Sequence, residues 1–183
     1  MVAAPDPARL LAQASELVAA FTALELAGRP GEGLADVTLA VERLANQVHG
    51  ARLRAIAAFD ASGVWEHDGA ASAASWLRGR VRLNAGTARG LVRDARAVRD
   101  ALPGFASGLA DGEVAADHVR VVAASMDRYP ERRTTLPEIE PALAEAARVV
   151  DPATLRRSST VGRRRSTPST PGTSNMIATR HGR

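Results

Sequence analysis

Apolar residues recur along this chain at steps of three and four residues, the spacing of one buried face of an α-helix. The first such run lies between Asp6, which precedes a proline, and the stop at Gly28. Its seam alternates steps of four and three: Leu10, Ala14, Leu17, Phe21 and Leu24, with Leu11 and Val18 beside it. The second run ends at Gly63 and repeats in the same way: Val37, Val41, Leu44, Val48, Ala51, Ala55 and Phe59.

A short loop separates these two runs, so we predict a long N-terminal helical hairpin whose seams pack together. Seams of this spacing also join separate helices in coiled coils. A homodimer formed through the N-terminal hairpin is therefore the alternative use of the same residues.

Residues 71–100 hold two further helical patterns across a short break. Ser72 is expected to cap the first, which carries Trp76 and Leu77 inward, and Asn84 to cap the second. The second has one apolar face: Ala88, Leu91, Val92, Ala95, Val98 and Leu102. The arrangement is similar to a helix-turn-helix, except that Arg78 and Arg82 stand where that pattern usually has a small residue and a turn glycine.

Arginine is concentrated in this same segment, which contains one acidic residue, Asp94, between positions 78 and 99. The arginines are Arg78, Arg80, Arg82, Arg89, Arg93, Arg96 and Arg99. We predict that they contact the phosphates of nucleic acid, with one or two reaching a groove edge. Asp100 follows Arg96 by four residues and is expected to neutralise part of the basic face.

The rest of the chain predicts a second helical pair and a tail. The inner face of the pair contains Phe105, Leu109, Val114, Val119 and Val122, with a bend at Gly112. A last helix is expected to open at Pro137, with Glu138 and Glu140 in its first turn and Ile139 inward. Asp151 with Pro152 is a further helix start, but we do not expect a helix to follow it. We therefore predict a helical domain over residues 1–157 and a disordered tail over 158–183.

Composition narrows the fold class and the chemistry. Aromatic residues make up 3% of the chain against 45% hydrophobic residues, and alanine dominates, which favours an all-α fold. Lysine and cysteine are both absent, so disulfides and thiolate metal sites are excluded. Residues 1–155 hold 17 arginines and 20 acidic residues, whereas residues 156–183 hold 7 arginines and no acid. With no apolar span or signal peptide, the expected location is cytoplasmic.

Two clusters invite a metal or acid/base interpretation. Glu66, His67 and Asp68 are adjacent on a turn and do not converge on one ion. Asp117 and His118 are adjacent on a helix and point about 100° apart, so we interpret them as a surface pair. We expect no catalytic residue, no metal and no cofactor.

Several short motifs of this sequence occur together in one protein family. They are Phe59, Asp60, Gly63, Trp65, Gly69, Ala70, Ser72, Trp76 and Leu77, then the Ala88 to Val98 segment, then Leu109, Gly112, Glu113, His118 and Val121. Over roughly residues 5–157 the chain resembles the 13E12 repeat family, also called domain of unknown function 222. That resemblance implies a helical region that precedes an HNH endonuclease domain and has no established catalytic residues.

No HNH motif follows residue 157, so no nuclease residue is carried over and we predict that the chain is not an enzyme. The abrupt change to Ser, Thr, Pro and Arg looks like an altered reading frame or a truncated copy. The leading hypothesis is a non-catalytic helical DNA-binding module. The alternatives are a helical protein-interaction or dimerisation module, and a nonfunctional truncated copy.

Overall fold

Eight α-helices and one 3₁₀ turn form the regular structure of the computed structural model, which describes residues 5–28 and 30–161 and, for residues 158–161, the backbone alone. The helices are α1 (Pro7–Thr22), α2 (Gly31–Ser62), α3 (Ala73–Arg80), α4 (Ala85–Asp100), α5 (Pro103–Asp111), α6 (Ala116–Arg128), α7 (Arg132–Ala147) and α8 (Pro152–Val161). The 3₁₀ turn is Val64–Glu66. No strand occurs in these ranges, which confirms the all-α prediction.

Short polar side chains start the helices at the predicted positions. The Asp6 carboxylate accepts a hydrogen bond from the Ala8 amide at 3.1 Å, and Asn84 Oδ1 accepts one from the Thr87 amide at 2.7 Å. Ser72 forms a reciprocal capping box with Ser75 at 3.1 and 3.0 Å. Each cap satisfies amides that a helix start leaves without a partner, which is why these residue types mark the boundaries.

The chain divides into two compact units, the first ending at Leu44 and the second beginning at Ala45. The first unit holds α1 and the start of α2, which confirms the two helices of the predicted hairpin. α1 ends at Thr22, however, and not at Gly28, so Leu24 of the predicted seam lies outside the helix. None of its described residues is buried, however, and Leu11 and Leu17 are 72% and 73% exposed. Its apolar seams therefore stay on the surface of the unit.

The second unit is built around α4, which packs against α3, α5 and α6, while α7 and α8 close the other side of α6. The predicted inner face of α4 is buried along its whole length, and so are the predicted inward residues of the next pair: Phe105, Leu109, Val114, Val119 and Val122. The three- and four-residue spacing thus identified the core faces of α4, α5 and α6 correctly. The predicted seam of α2 in this unit is wrong, because Val48 is 57% exposed and Leu53, Ile56 and Ala57 are buried instead.

The prediction that a helix opens at Pro137 is wrong, because α7 begins at Arg132 and carries Pro137 in its interior. The proline does not end the helix, since Leu136 and Ala144 bury the same helix in the core. Ile139, expected inward, is 47% exposed, and Glu140 is buried instead.

Glu140 ties α7 to the start of α5. Its Oε1 accepts hydrogen bonds from the amides of Gly104 at 2.8 Å and Phe105 at 3.2 Å. These amides are free donors at a helix N-terminus, where a carboxylate is favoured. Gly104 permits the contact, because a Cβ there would lie 2.8 Å from the Cβ of Ala144.

The helix start at Asp151 is used, contrary to the sequence interpretation. Asp151 Oδ1 accepts hydrogen bonds from the amides of Ala153 at 2.9 Å and Thr154 at 3.0 Å, and Leu155 on the resulting helix is buried. α8 then continues to Val161, four residues beyond the expected boundary at 157. The observation that motivated a truncated copy is therefore removed. The remainder of the predicted tail, residues 162–183, lies outside the described residues.

Candidate nucleic-acid interface

The turn between α3 and α4 contains a residue whose backbone lies in the left-handed region, which favours glycine. Val81 caps the end of α3, and Arg82 follows it with a φ of 58°, in the left-handed region. Among the described residues, Arg82 is the one non-glycine residue with positive φ. Arg82 thus adopts a backbone conformation that glycine usually adopts.

Three exposed arginines surround this turn, and we call them the corner arginines: Arg78, Arg82 and Arg89. Within the described part of the chain, no carboxylate lies at ion-pair distance from any of them. Two of them, Arg78 and Arg89, line a shallow depression of about 190 Å³ together with Ser72 and Ser75. Their guanidinium groups are therefore free to meet an anion from solvent.

The other predicted arginines are occupied, and we call those on α4 the paired arginines: Arg93, Arg96 and Arg99. Arg93 pairs with Asp94 at 2.7 Å and Arg99 with Asp100 at 2.6 Å. The remaining predicted contact, Arg80, forms an exposed pair with Asp68 at 3.2 Å. The structure thus separates the seven predicted residues into three that are free and four that are bound to carboxylates.

Arg96 has the strongest pair, and its partner is not the predicted one. Its Nε and Nη2 donate to the two oxygens of Asp60 on α2, both at 2.7 Å. The Asp60 side chain is only 5% exposed, and Arg99 also lies 3.8 Å from it. Asp100 neutralises part of the basic face, as expected, but it does so by pairing with Arg99 at 2.6 Å and not with Arg96.

The pKa values of Asp60 and Asp94 are shifted in opposite directions. The hydrogen bonds from Arg96 hold the pKa of Asp60 below its ordinary value. Burial raises the pKa of Asp94, and Arg93 opposes that rise only in part. Asp60 is therefore stabilised as an anion by its partner, whereas Asp94 is a charge that its surroundings disfavour.

The surface beside the paired arginines is of mixed charge. A cleft of about 360 Å³ there is lined by Arg93, Arg96 and Arg133, but Asp100 and Asp127 line it as well. An incoming phosphate would meet aspartates at the same place. The paired face of α4 is therefore a poor anion surface compared with the α3–α4 turn.

Comparison of the sequence with models of known protein families identifies one match. The family described as Domain of unknown function (DUF222) matches residues 34–165. The chain belongs to the DUF222 family. The match begins in α2, so α1 lies outside it, whereas the resemblance had been expected to extend from residue 5. No curated protein and no solved structure matches the chain.

In this DUF222 chain the two clusters with candidate chemistry have structural contacts. Asp68 accepts a hydrogen bond from the Trp76 indole at 2.6 Å, which joins the turn to α3. His118 is buried and not on the surface as predicted: its Nδ1 accepts from the Ala115 amide at 3.2 Å, and its Nε2 donates to the Val150 carbonyl at 2.8 Å. This double contact closes the start of α6 and joins it to the end of α7.

Residues 5–28 and 30–161 contain no group of three His, Asp or Glu side chains placed to hold a metal ion. None of the helices in these ranges is long and apolar enough to cross a membrane.

Sequence reasoning missed one basic surface of the DUF222 unit. Five arginines from α6, α7 and α8 line a single groove, which we call the five-arginine groove: Arg120, Arg128, Arg132, Arg156 and Arg157. Local sequence gave no signal for it, because these residues lie up to 37 positions apart and Asp127 and Glu131 are interspersed. Only the packing of α8 against α6 brings them together.

Proposed function

We propose that this DUF222 chain is a non-catalytic DNA-binding module in which the corner arginines contact the phosphates of duplex DNA. The observation that carries the proposal is the absence of any carboxylate near Arg78, Arg82 and Arg89 within the described residues. A free guanidinium gains charge-assisted hydrogen bonds to phosphate and releases counterions from DNA. An arginine already bound to aspartate must first give up that pair.

The backbone of Arg82 supports the same assignment. A left-handed conformation costs a residue with a Cβ on the order of 1 kcal/mol, and glycine avoids that cost. Arg82 holds this conformation at φ 58° with its side chain exposed and unpaired. A strained position that places a charge at a surface turn is consistent with a role for that charge in binding.

The proposal is tested by titrating the full-length chain with a labelled duplex at several salt concentrations. We expect the slope of log affinity against log salt to fall by about three when Arg78, Arg82 and Arg89 are replaced by Gln, since each phosphate contact contributes about 0.9. Gln preserves helix formation at the two helical positions. A matched variant replaces Arg163, Arg164 and Arg165 by Gln, which removes the same charge outside the described residues.

Loss of binding in the matched variant, with a normal slope in the corner variant, would contradict the proposal. We also expect no magnesium-dependent cleavage of plasmid by the purified chain, because the module supplies no base and metal pair for hydrolysis.

The first unit favours a second candidate function, which is dimerisation through its exposed seams. Leu10 and Leu17 lie seven residues apart on α1 and are 51% and 73% exposed, and Phe21 continues the same seam at 39%. Such a stripe is the surface that a second helix covers in a coiled coil. We expect sedimentation to show a concentration-dependent dimer that Leu17→Glu abolishes, with Glu16→Lys as an exposed control on the same helix. A monomer at all concentrations would rule this candidate out.

A further inference from the structure

The five-arginine groove is a structured cationic surface that is separate from the α3–α4 turn. It has a volume of about 420 Å³ and is lined by residues of α6, by Tyr129, by Arg132 at the start of α7 and by two arginines of α8. Among the residues that the structure describes, no acidic one lines it. The groove differs in this respect from the mixed-charge cleft beside α4, which is lined by two aspartates.

Two of its arginines are oriented by neutral groups and so keep their full charge. The guanidinium of Arg132 lies over the Tyr129 ring, 4.4 Å from its centre, and donates to Ser125 Oγ. Arg157 donates to Thr154 Oγ1 at 3.0 Å. Neither contact consumes the ionic capacity of the arginine, and both restrict its motion, so less entropy is lost when an anion binds.

The two groove arginines on α6 are also accessible. Arg128 has no hydrogen-bond or ion-pair partner among the described residues. Arg120 pairs with Asp117 at 2.7 Å, but both side chains are more than half exposed, at 60% and 62%. The exposed pair with Asp117 leaves Arg120 as part of the positive charge around the groove, although any contact with an anion competes with that carboxylate.

Five like charges around one groove repel one another, and a bound polyanion relieves that repulsion. One phosphate group accepts hydrogen bonds from only two or three arginines, since each guanidinium presents a two-pronged face to it. Arginines carried on three helices therefore suit several phosphates in succession. A nucleic-acid backbone supplies such a series, with one charge per roughly 1.7 Å of duplex axis.

We propose that the five-arginine groove is a second phosphate-contact surface, on which this chain holds the backbone of duplex DNA independently of the corner arginines. The identity of the polyanion rests on the proposed function, whereas the existence of a cationic site does not. Two of the groove arginines, Arg156 and Arg157, occupy the last two positions of the helical domain that was predicted over residues 1–157, and α8 positions both.

The test uses the full-length chain, a labelled duplex and three double variants, each of which removes two positive charges. The groove variant is Arg128→Gln with Arg157→Gln, and the corner variant is Arg78→Gln with Arg89→Gln. The control is Arg80→Gln with Arg133→Gln, because both of these arginines are exposed and paired with aspartates, Asp68 and Asp127. Thermal unfolding of each variant establishes that it is folded.

We expect the groove variant to lower the salt slope by about two and the control by less than about one. The combination of groove and corner variants should lower it by about four, because distant contacts add. If the groove variant has the same salt slope as the control, the proposed role of the groove is wrong, whereas the proposed role of the corner arginines is unaffected. A loss in the groove variant with a normal corner variant would uphold the groove and contradict the proposed role of the corner. No binding of duplex by the unmodified chain at low salt would overturn both.

Discussion

The corner arginines and the paired arginines come from the same 22-residue stretch and have the same chemistry, yet they face different surroundings. Around Arg78, Arg82 and Arg89 the described structure places no carboxylate, whereas α2 delivers Asp60 to Arg96 from 36 residues away. A count of charges along the chain does not separate the two groups. Availability for binding is decided by the carboxylates that the fold brings near, so a basic segment is a candidate interface only where its charges remain unpaired.

The largest effect on stability is expected from Asp60→Asn, which removes the charge that holds Arg96 and Arg99. Hydrogen bonds between charged groups contribute about 1.5–3 kcal/mol, and the 55% exposure of Arg96 reduces this. We expect a loss of about 1–2 kcal/mol in the free energy of unfolding, measured with urea at neutral pH. The freed Arg96 should also raise the salt slope for DNA by about one, which converts a paired arginine into a corner-like one.

Asp100→Asn is the matched control for this change, because it removes the same charge from a carboxylate that is 56% exposed. It should cost less than about 0.5 kcal/mol. Equal losses in the two variants would show that burial of Asp60 does not matter, and an unchanged salt slope in Asp60→Asn would break the comparison between paired and unpaired arginines.

The second prediction uses the opposite pKa shifts of Asp60 and Asp94. Since the folded pKa of Asp60 is lowered, its stabilisation is present above about pH 3.9 and is lost as the pH falls through the folded value. Since the folded pKa of Asp94 is raised, the stabilisation linked to it is present below about pH 3.9 and is lost as the pH rises through the folded value.

Urea unfolding between pH 3 and pH 7 measures how the stabilisation linked to Asp60 and that linked to Asp94 change with pH. The stability advantage of the unmodified chain over Asp60→Asn should shrink as the solution is made acidic. Its advantage over Asp94→Asn should instead shrink as the pH rises. The same direction of change in both variants would contradict the assignment of Asp60 as stabilised mainly by its arginine and of Asp94 as destabilised mainly by burial.

The smallest effect is expected at Arg82, where two substitutions both remove the charge but only one relieves the backbone strain. Arg82→Gly removes the left-handed strain and Arg82→Ala keeps it, so the Gly variant should be more stable than the Ala variant by about 1 kcal/mol. Both should weaken DNA binding equally, because both remove one phosphate contact. Thermal unfolding with a DNA titration of the two variants checks this, and an Ala variant of equal or greater stability would remove the argument from strain.

The sequence allowed the helical core to be predicted, because burial follows the three- and four-residue period. The inward faces of α4, α5 and α6 and the caps at Asp6, Ser72 and Asn84 are local patterns, and all were confirmed. The errors lie where a distant contact overrides a local signal. Pro137 resembles a helix start, but α7 is already held in the core on either side of it.

The candidate site was harder to predict for the same reason. The concentration of arginine on residues 78–99 is visible in the sequence, whereas the pairing of Arg96 with Asp60 requires α2 and α4 to be in contact. The five-arginine groove and the buried carboxylate of Glu140 depend on equally distant contacts. Local periodicity carries no information about these, because each joins elements that are about 35 residues apart in sequence.

The most direct test of the account compares two full-length triple variants that lose the same charge. One replaces the corner arginines by Gln and the other replaces the paired arginines, Arg93, Arg96 and Arg99, by Gln. The corner variant should lower the salt slope for duplex DNA by about three with an unchanged urea midpoint, and the paired variant should lower the midpoint with the slope changed by less than about one. Equal losses of slope in the two variants, or a larger loss in the paired variant, would contradict the claim that unpaired arginines form the binding surface.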